Sequence, residues 1–300
     1  MRFVSFYLSN INILWIVDVK KITLEKIIRK PITVTPNSSL RKIRESLLKN
    51  RVKRVVITSK KKPLGIITEK DIAKKIYSLK NKSMSDVKAL DFKQKKLFTL
   101  QKEDTVSQCA KIMKKHRISV VIITNEENEL EGIVTKTDLT SIFLAKSSKQ
   151  YKVSDIMKKK VISATPSDPI LHVEKLLLKY GISRVVIKRN HRPVGVITFR
   201  DFVPAKIPQW ISKNADPREV QEYKWKKGLE EIHSNEISYL FPFQASDIMS
   251  ENPITIEYDS EIKKAITLMI KYNIGGLPII KKSRLVGIIT KSDIVKTLAS

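Results

Sequence analysis

One seven-residue phrase occurs four times in this chain. Gly65-Ile66-Ile67-Thr68-Glu69-Lys70-Asp71 returns as Gly132 to Asp138, Gly195 to Asp201 and Gly287 to Asp293. In every copy Thr follows Gly by three residues and Asp follows Thr by three. Such repetition constrains the fold more than any single motif, because the sequence can be aligned with itself. A position free to drift would differ among four copies, and Gly, Thr and Asp do not. The chain must then fold as four copies of one unit. A unit this small buries only about 60% of its unfolded surface, so the copies must associate.

The first copy shows what the unit contains. Pro31 to Pro36 is an extended stretch closed by proline. Ser39 to Asn50 carries Leu40, Ile43, Leu47 and Leu48 at helical spacing. Val52 to Ile57 is rich in β-branched residues and reads as a buried strand. The turn Lys60-Lys61-Lys62-Pro63 leads to a strand over Leu64 to Ile67. A last helix starts around Thr68 to Asp71 and runs through Ile72 and Ile76. Repeat two matches over Leu97 to Phe143, repeat three from Val161 to about Val203, and repeat four from Pro253 to Leu298. Their central strands are Val120 to Ile123, Val185 to Ile187 and Leu277 to Ile280. The order β-α-β-β-α places the chain in the α/β (α+β) class. Pairing repeats one with two and three with four gives two domains of ordinary size. The expected division is an apolar extension over 1–18, repeats over 19–80, 81–147 and 148–203, an inserted helical linker over 204–243, and repeat four over 244–300.

The β-α-β-β-α unit ending in G-h-h-T-x-x-D resembles the cystathionine β-synthase (CBS) domain, over most of residues 19–300. The resemblance implies four CBS repeats paired into two pseudo-twofold Bateman modules. It implies that the clefts between paired repeats bind adenosyl compounds (AMP, ADP, ATP or S-adenosylmethionine) and that the chain is a sensor, not an enzyme. It also puts the Thr-x-x-Asp of one repeat beside the opening strand of its partner. That arrangement joins Asp71 with Thr99, Asp138 with Thr33, Asp201 with Thr255, and Asp293 with Ser163.

The repeated residues suit such a ligand. Asp71, Asp138, Asp201 and Asp293 each offer two carboxylate oxygens to the vicinal hydroxyls of a ribose, in short charge-assisted bonds. Thr68, Thr135, Thr198 and Thr290 stand at a strand-to-helix junction, where hydroxyls and helix N–H groups attract phosphate. Gly65, Gly132, Gly195 and Gly287 permit a tight turn or close packing. A second reading is structural: Thr-x-x-Asp is also a helix capping box, with Thr as N-cap and the acid three residues on. A further column, Thr33, Thr99, Ser163 and Thr255, places a small hydroxyl in each opening strand. It fits either a ligand edge or solvent-facing β-propensity. Just before the central strands, repeat one has Lys53-Arg54 and repeat three Ser183-Arg184, against Ser119-Val120 and Gly275-Gly276. In the family, basic residues here reach phosphates, and the planar Arg fork suits that task. Lys53, Arg54 and Arg184 are therefore the expected phosphate donors, and the clefts of each module should be electrostatically unequal. Solvated strand-edge charge is the other reading of Arg54 and Arg184.

Composition narrows the function classes. The lone cysteine, Cys109, excludes a disulfide framework within the chain and fits a reducing, cytoplasmic setting. It sits on the apolar face of a helix and reads as core. The four histidines show no metal-ligand spacing, and no Gly-rich phosphate loop, Gly-x-Ser-x-Gly or Cys-x-x-Cys pair is present. No required cofactor or metal is expected; the adenine nucleotide is the regulatory ligand. The net charge of +28 draws polyanions, so a basic nucleic-acid-binding protein on the same scaffold is the alternative reading. The first seventeen residues are apolar but shorter than the ~20 needed to span a bilayer. They read as an extra element on the first module, with a membrane anchor second. The segment between repeats three and four carries Pro204 and Pro208, a helix start at Asp216-Pro217, and Trp210, Trp225, Tyr239, Phe241 and Phe243. It reads as packing across a module face, or else as a partner-docking surface. With no effector domain of recognisable type, output should pass through a homodimer or a separate effector protein.

Overall fold

A computed structural model describes residues 21–77, 84–92, 96–146, 151–202 and 244–299. The apolar extension and the aromatic linker with its Asp216-Pro217 helix start lie outside the described residues. The chain is a mixed α/β protein built, over the described residues, from three three-stranded sheets, one four-stranded sheet and their helices. Repeat one runs β1 (Thr33–Val34), α1 (Leu40–Lys49), β2 (Arg54–Ser59), β3 (Lys62–Thr68) and α2 (Glu69–Tyr77). Repeat two runs β4 (Thr99–Leu100), α3 (Val106–Lys115), β5 (Val120–Thr124), β6 (Leu130–Thr135) and α4 (Lys136–Lys146). A short helix α5 (Val153–Ile156) precedes repeat three: β7 (Ser163–Ala164), α6 (Ile170–Lys179), β8 (Arg184–Arg189), β9 (Arg192–Thr198) and α7 (Phe199–Phe202). Helix α8 (Ala245–Ile248) and strand β10 (Ser250–Glu251) lead into repeat four: β11 (Ile256–Glu257), α9 (Ile262–Lys271), β12 (Gly276–Lys281), β13 (Arg284–Thr290) and α10 (Lys291–Leu298).

Local chemistry sets these boundaries. Ser39 caps α1 by accepting from Lys42 N at 3.3 Å, and Thr105 with Gln108 forms a capping box on α3. The first hairpin turns at Lys60 and Lys61, both at positive φ, as in a type I′ turn whose twist matches its strands. Asn190-His191 and Lys282-Ser283 repeat that turn. The first central strand starts at Arg54, two residues later than expected, and continues past Ile57 through a bulge to Ser59. In repeats one to three the opening strand accepts a bond from the central strand, as in Val56 N to Ile32 O at 3.0 Å. Repeat four has Pro278 at the equivalent place, with no N–H to give. Thr255 consequently lies just outside β11, while Thr33, Thr99 and Ser163 lie within their strands.

Each module is closed by an exchange of backbone. The segment ahead of repeat one crosses to repeat two, where Arg29 and Ile133 trade bonds of 3.0 and 2.9 Å. The segment ahead of repeat three reaches repeat four in the same way through Lys158 and Ile288, both bonds 2.9 Å. β10 adds antiparallel to β9, with Ser250 opposite Val196. This exchange explains the invariant glycine. A Cβ on Gly195 would fall 2.3 Å from Met249 Sδ, and one on Gly132 would fall 2.3 Å from the Ile28 side chain. The requirement there is close approach of a crossing chain.

The two modules then pack repeat on repeat. α2 meets α7, joining repeats one and three, while α10 lies on α3 and α4, joining repeats two and four. Val106, Cys109 and Met113 of repeat two share one continuous core with Ile266, Met269 and Leu298 of repeat four. Cys109 is wholly buried in it, and burial, with Asp138 and Asp104 adding, pushes its thiol up to about 12. It is a core residue, as its helical position suggested. Among the described residues no helix is long and apolar enough to cross a membrane.

Candidate functional site

All four Thr-x-x-Asp corners have the same geometry. The Thr N–H and hydroxyl both donate to Oδ2 of the Asp three residues on. The distances are 2.9 and 2.6 Å at Thr68, 2.8 and 2.7 Å at Thr135, 2.6 and 2.9 Å at Thr198, and 3.0 and 2.6 Å at Thr290. The capping reading therefore describes one carboxylate oxygen. It leaves Oδ1 for other work, so capping and ligand binding do not exclude each other.

The crossing segments decide what meets Oδ1. Arg29 Nε pairs with Asp138 Oδ1, although it is not aligned for a hydrogen bond. Lys158 Nζ lies 3.4 Å from Asp293 Oδ1, with Lys296 Nζ at 3.8 Å. Arg29 and Lys158 occupy the same ladder position, and at Asp201 that position is Ser250. Asp201 is half-buried, and burial raises its pKa against the two lowering bonds from Thr198. The four carboxylates are thus not equivalent: two are charge-paired and buried, and at a third the corresponding ladder position carries no charge.

Around Asp293 lies a cleft of about 410 Å³, lined by Tyr151, Ile156, Lys158, Asp293, Lys296 and Thr297 among others. It offers an apolar wall, a carboxylate and cations together, within the usual range of a small-ligand site of roughly 300–1,000 Å³. A groove of about 280 Å³ at Thr165, Ser167, Lys188 and Arg189 touches none of the Thr-x-x-Asp corners. Thr33 and Thr99 are exposed on their opening strands, while Ser163 and Thr255 are half-buried.

The two variable positions inside Thr-x-x-Asp bring the modules together. Lys136 Nζ donates to Ser292 Oγ at 2.9 Å, and Lys291 Nζ donates to Thr137 Oγ1 at 3.1 Å. Arg200 Nε bonds Glu69 Oε1 at 2.7 Å, and Lys70 lies 5.3 Å above the Phe199 ring. In each case the first variable residue of one repeat meets the second of its counterpart. The N-termini of α2, α4, α7 and α10 consequently converge, each adding partial positive charge to the centre.

Side chains add more. Lys53, Arg54, Lys136, Arg184, Arg200 and Lys291 are close enough to perturb one another. Burial lowers Lys53 to about 8, assisted by Arg200 and Arg184. Burial likewise lowers Lys136 to about 8. Lys291 falls to about 7 through burial and then the charges of Lys53 and Arg184. Burial lowers Arg184 to about 10 against the pull of Asp293. Arg54 spans its module, with both terminal nitrogens 3.2 Å from Ser119 oxygens, while its buried Nε has no hydrogen-bond partner. Arg184 lies against Gly275 and Gly276, where a Cβ would meet its guanidinium at 2.4 and 2.3 Å, and its Nε is also unpartnered. Small residues in the even repeats therefore make room for large cations from the odd ones. Arg54 and Arg184 open the central strands of repeats one and three, with Lys53 just ahead; Lys136, Arg200, Lys291, Arg29 and Lys158 were not singled out in the sequence. The signal for Lys136, Arg200 and Lys291 was present as complementary variation within an otherwise fixed motif. Among the described residues no group of three or more His, Cys, Asp or Glu could hold a metal ion.

The sequence profile described as the CBS domain matches residues 19–78, 87–145, 153–207 and 245–300. Uncharacterized protein MJ1225 of Methanocaldococcus jannaschii is 25% identical over 286 residues, spanning 90% of this chain and 96% of that protein. Its crystal structure superposes with a TM-score of 0.76 at 23% identity, covering 93% of this chain and 100% of the other. An uncharacterized conserved protein from Pyrococcus horikoshii superposes with a TM-score of 0.59 at 19% identity, covering 92% of this chain and 100% of that one. These likenesses extend over both modules and show a shared four-repeat fold.

Proposed function

Because the chain belongs to the CBS-domain family, with four such domains, we propose that it is a non-catalytic regulatory sensor. Its ligands are adenine nucleotides (AMP, ADP or ATP) held in the clefts between paired repeats. One observation carries the reading: cations from both modules crowd one centre, with Lys291 buried and Lys53, Arg54, Lys136, Arg184 and Arg200 half-buried, and the buried Nε atoms of Arg54 and Arg184 are unpartnered. Burying unpaired charge is costly, and a ligand that brings phosphate removes that cost. The ribose goes to an Asp Oδ1, and the phosphate to Lys53, Arg54, Arg184 and the helix N-termini. S-adenosylmethionine brings a sulfonium cation and no phosphate, so the same centre disfavours it. Such a ligand and a single thiol fit a cytoplasmic protein. Output passes through a second copy or a separate effector.

Calorimetry on protein freed of copurified ligand tests this directly. AMP, ADP and ATP should bind, and adenosine and S-adenosylmethionine should bind more weakly. Absence of heat with all five sinks the proposal. Tighter binding of S-adenosylmethionine than of any nucleotide refutes the role given to the cationic centre.

A further inference from the structure

The four hairpin tips hold equivalent places in their repeats and differ in charge; repeats one, three and four share a two-residue turn, and repeat two has a longer loop between Thr124 and Leu130. They carry Lys60, Lys61 and Lys62 in repeat one and Glu126, Glu127 and Glu129 in repeat two. Repeat three carries Lys188, Arg189 and Arg192, and repeat four Lys281, Lys282 and Arg284. Within each module the two tips lie side by side, joined by Leu130 N to Lys61 O at 2.9 Å and by Leu285 N to His191 O at 2.8 Å. In the first module cations and carboxylates therefore balance, and Lys61 Nζ lies 3.6 Å from Glu129 Oε2. In the second module six Lys and Arg side chains stand together. Among the described residues no carboxylate comes within 4.0 Å of any of them.

The ladder register sharpens the contrast. Arg189 is directly opposite Arg192, and Lys281 directly opposite Arg284. Like charges facing each other across a sheet are destabilising. The equivalent pairs in the first module, Ser59 with Lys62 and Thr124 with Leu130, carry no such conflict. A stability cost present at one end of a pseudo-symmetric molecule and absent at the other marks a surface kept for binding. The neighbouring groove adds the hydroxyls of Thr165 and Ser167 beside Lys188 and Arg189.

We propose that the paired hairpin tips of the second module form a docking surface for the phosphate backbone of duplex nucleic acid. Two adjoining β-ribbons fit a duplex groove, and the cations are placed for phosphates rather than bases. Single strands need aromatic platforms. The tyrosine at this end, Tyr258, is covered by Lys281 Nζ at 5.1 Å. The tips carry no exposed apolar side chain to enter a lipid surface. The surface is separate from the nucleotide centre and does not depend on it.

The test is binding of a short labelled DNA duplex of mixed sequence over a salt series, with and without ATP. Six contacts give a log–log salt slope of about 5. The double variant Arg192→Glu, Arg284→Glu should reduce that slope by about 2 or more. Its melting temperature should not fall, because each new carboxylate faces Arg189 or Lys281. The control Lys60→Glu, Lys62→Glu should leave the slope unchanged near physiological salt, where the Debye length is about 8 Å. An equal loss in the control assigns binding to diffuse net charge and overturns the proposal. So does an unchanged slope in the double variant, displacement of the duplex by ATP, or tighter binding of a single strand. Competition by phosphatidylserine vesicles that is lost in the double variant shows a membrane-binding surface instead.

Discussion

Lys291 offers the sharpest test of the cationic centre. Its side chain is buried, at 5% exposure, and burial with the charges of Lys53 and Arg184 lowers it from 10.5 to about 7. In the unfolded chain it keeps its ordinary value. Between about pH 7 and pH 10 the unfolded state thus holds a proton that the folded state has released, and stability must rise with pH. Below about pH 7 both states are protonated and the full cost of the buried charge is present. With folded and unfolded values of about 7 and 10.5, moving from pH 7 to 9 stabilises the free protein by about 2 kcal/mol. At 2–4 °C per kcal/mol that is a rise in Tm of roughly 4–8 °C. A bound phosphate favours the ammonium form, so ATP binding takes up a proton. Its affinity weakens as pH rises through about 7, and its stabilising effect shrinks over the same range. Thermal unfolding of wild type and Lys291→Met, with and without ATP, measures both slopes. The variant should lose this part of the rise in the free protein. Parallel pH profiles for the two proteins, or a wild-type Tm that falls relative to the variant as pH increases, refute the reasoning.

Three further outcomes are expected. Asp201→Asn keeps one acceptor for the Thr198 cap but loses the second carboxylate oxygen. It should weaken nucleotide binding about ten- to a hundredfold at one cleft, by calorimetry, with little change in Tm, whereas Asp201→Ala should lower both. Gly195→Ala forces a methyl group against Met249 and should cost about 1–3 kcal/mol in chemical denaturation, without a new charge or lost hydrogen bond. Arg51 ends α1 at φ 51°, where repeat three has Gly181 at φ 58°, so Arg51→Gly should stabilise by about 1 kcal/mol in the same assay.

Much of this was legible because the repeats calibrate one another. The helical spacing of Leu40, Ile43 and Leu47 gave α1, and four copies of Gly, Thr and Asp located four corners. What single positions could not show was how one residue serves two purposes. Asp71 reads as either cap or ligand in sequence, and only the geometry separates Oδ2 from Oδ1. The reason for the glycine was hidden for a similar cause: Met249 and Gly195 touch, yet their approach depends on a segment leaving its own repeat. Packing of the modules was less visible still. Lys136 and Ser292 are 156 positions apart, and no local pattern announces their bond. The register of β11 was legible in principle from Pro278, since a residue without an N–H cannot serve that ladder.

The exchanged segments also set a schedule for the growing chain. Arg29 cannot find its ladder partner until Ile133 has been made, 104 residues later (133 minus 29). At roughly 5–20 residues per second, the crossing segment waits about 5–20 s unpaired. Lys158 and Ile288 impose a longer interval of 130 residues (288 minus 158), or about 7–26 s. α10, which seals the core of repeat two, is made after both. The nascent chain therefore spends most of its synthesis as unfinished halves. Slowing translation between a crossing segment and its partner should lengthen exposure to proteases and chaperones, and a pause between the modules should leave the repeat-two core uncovered until α10 is made.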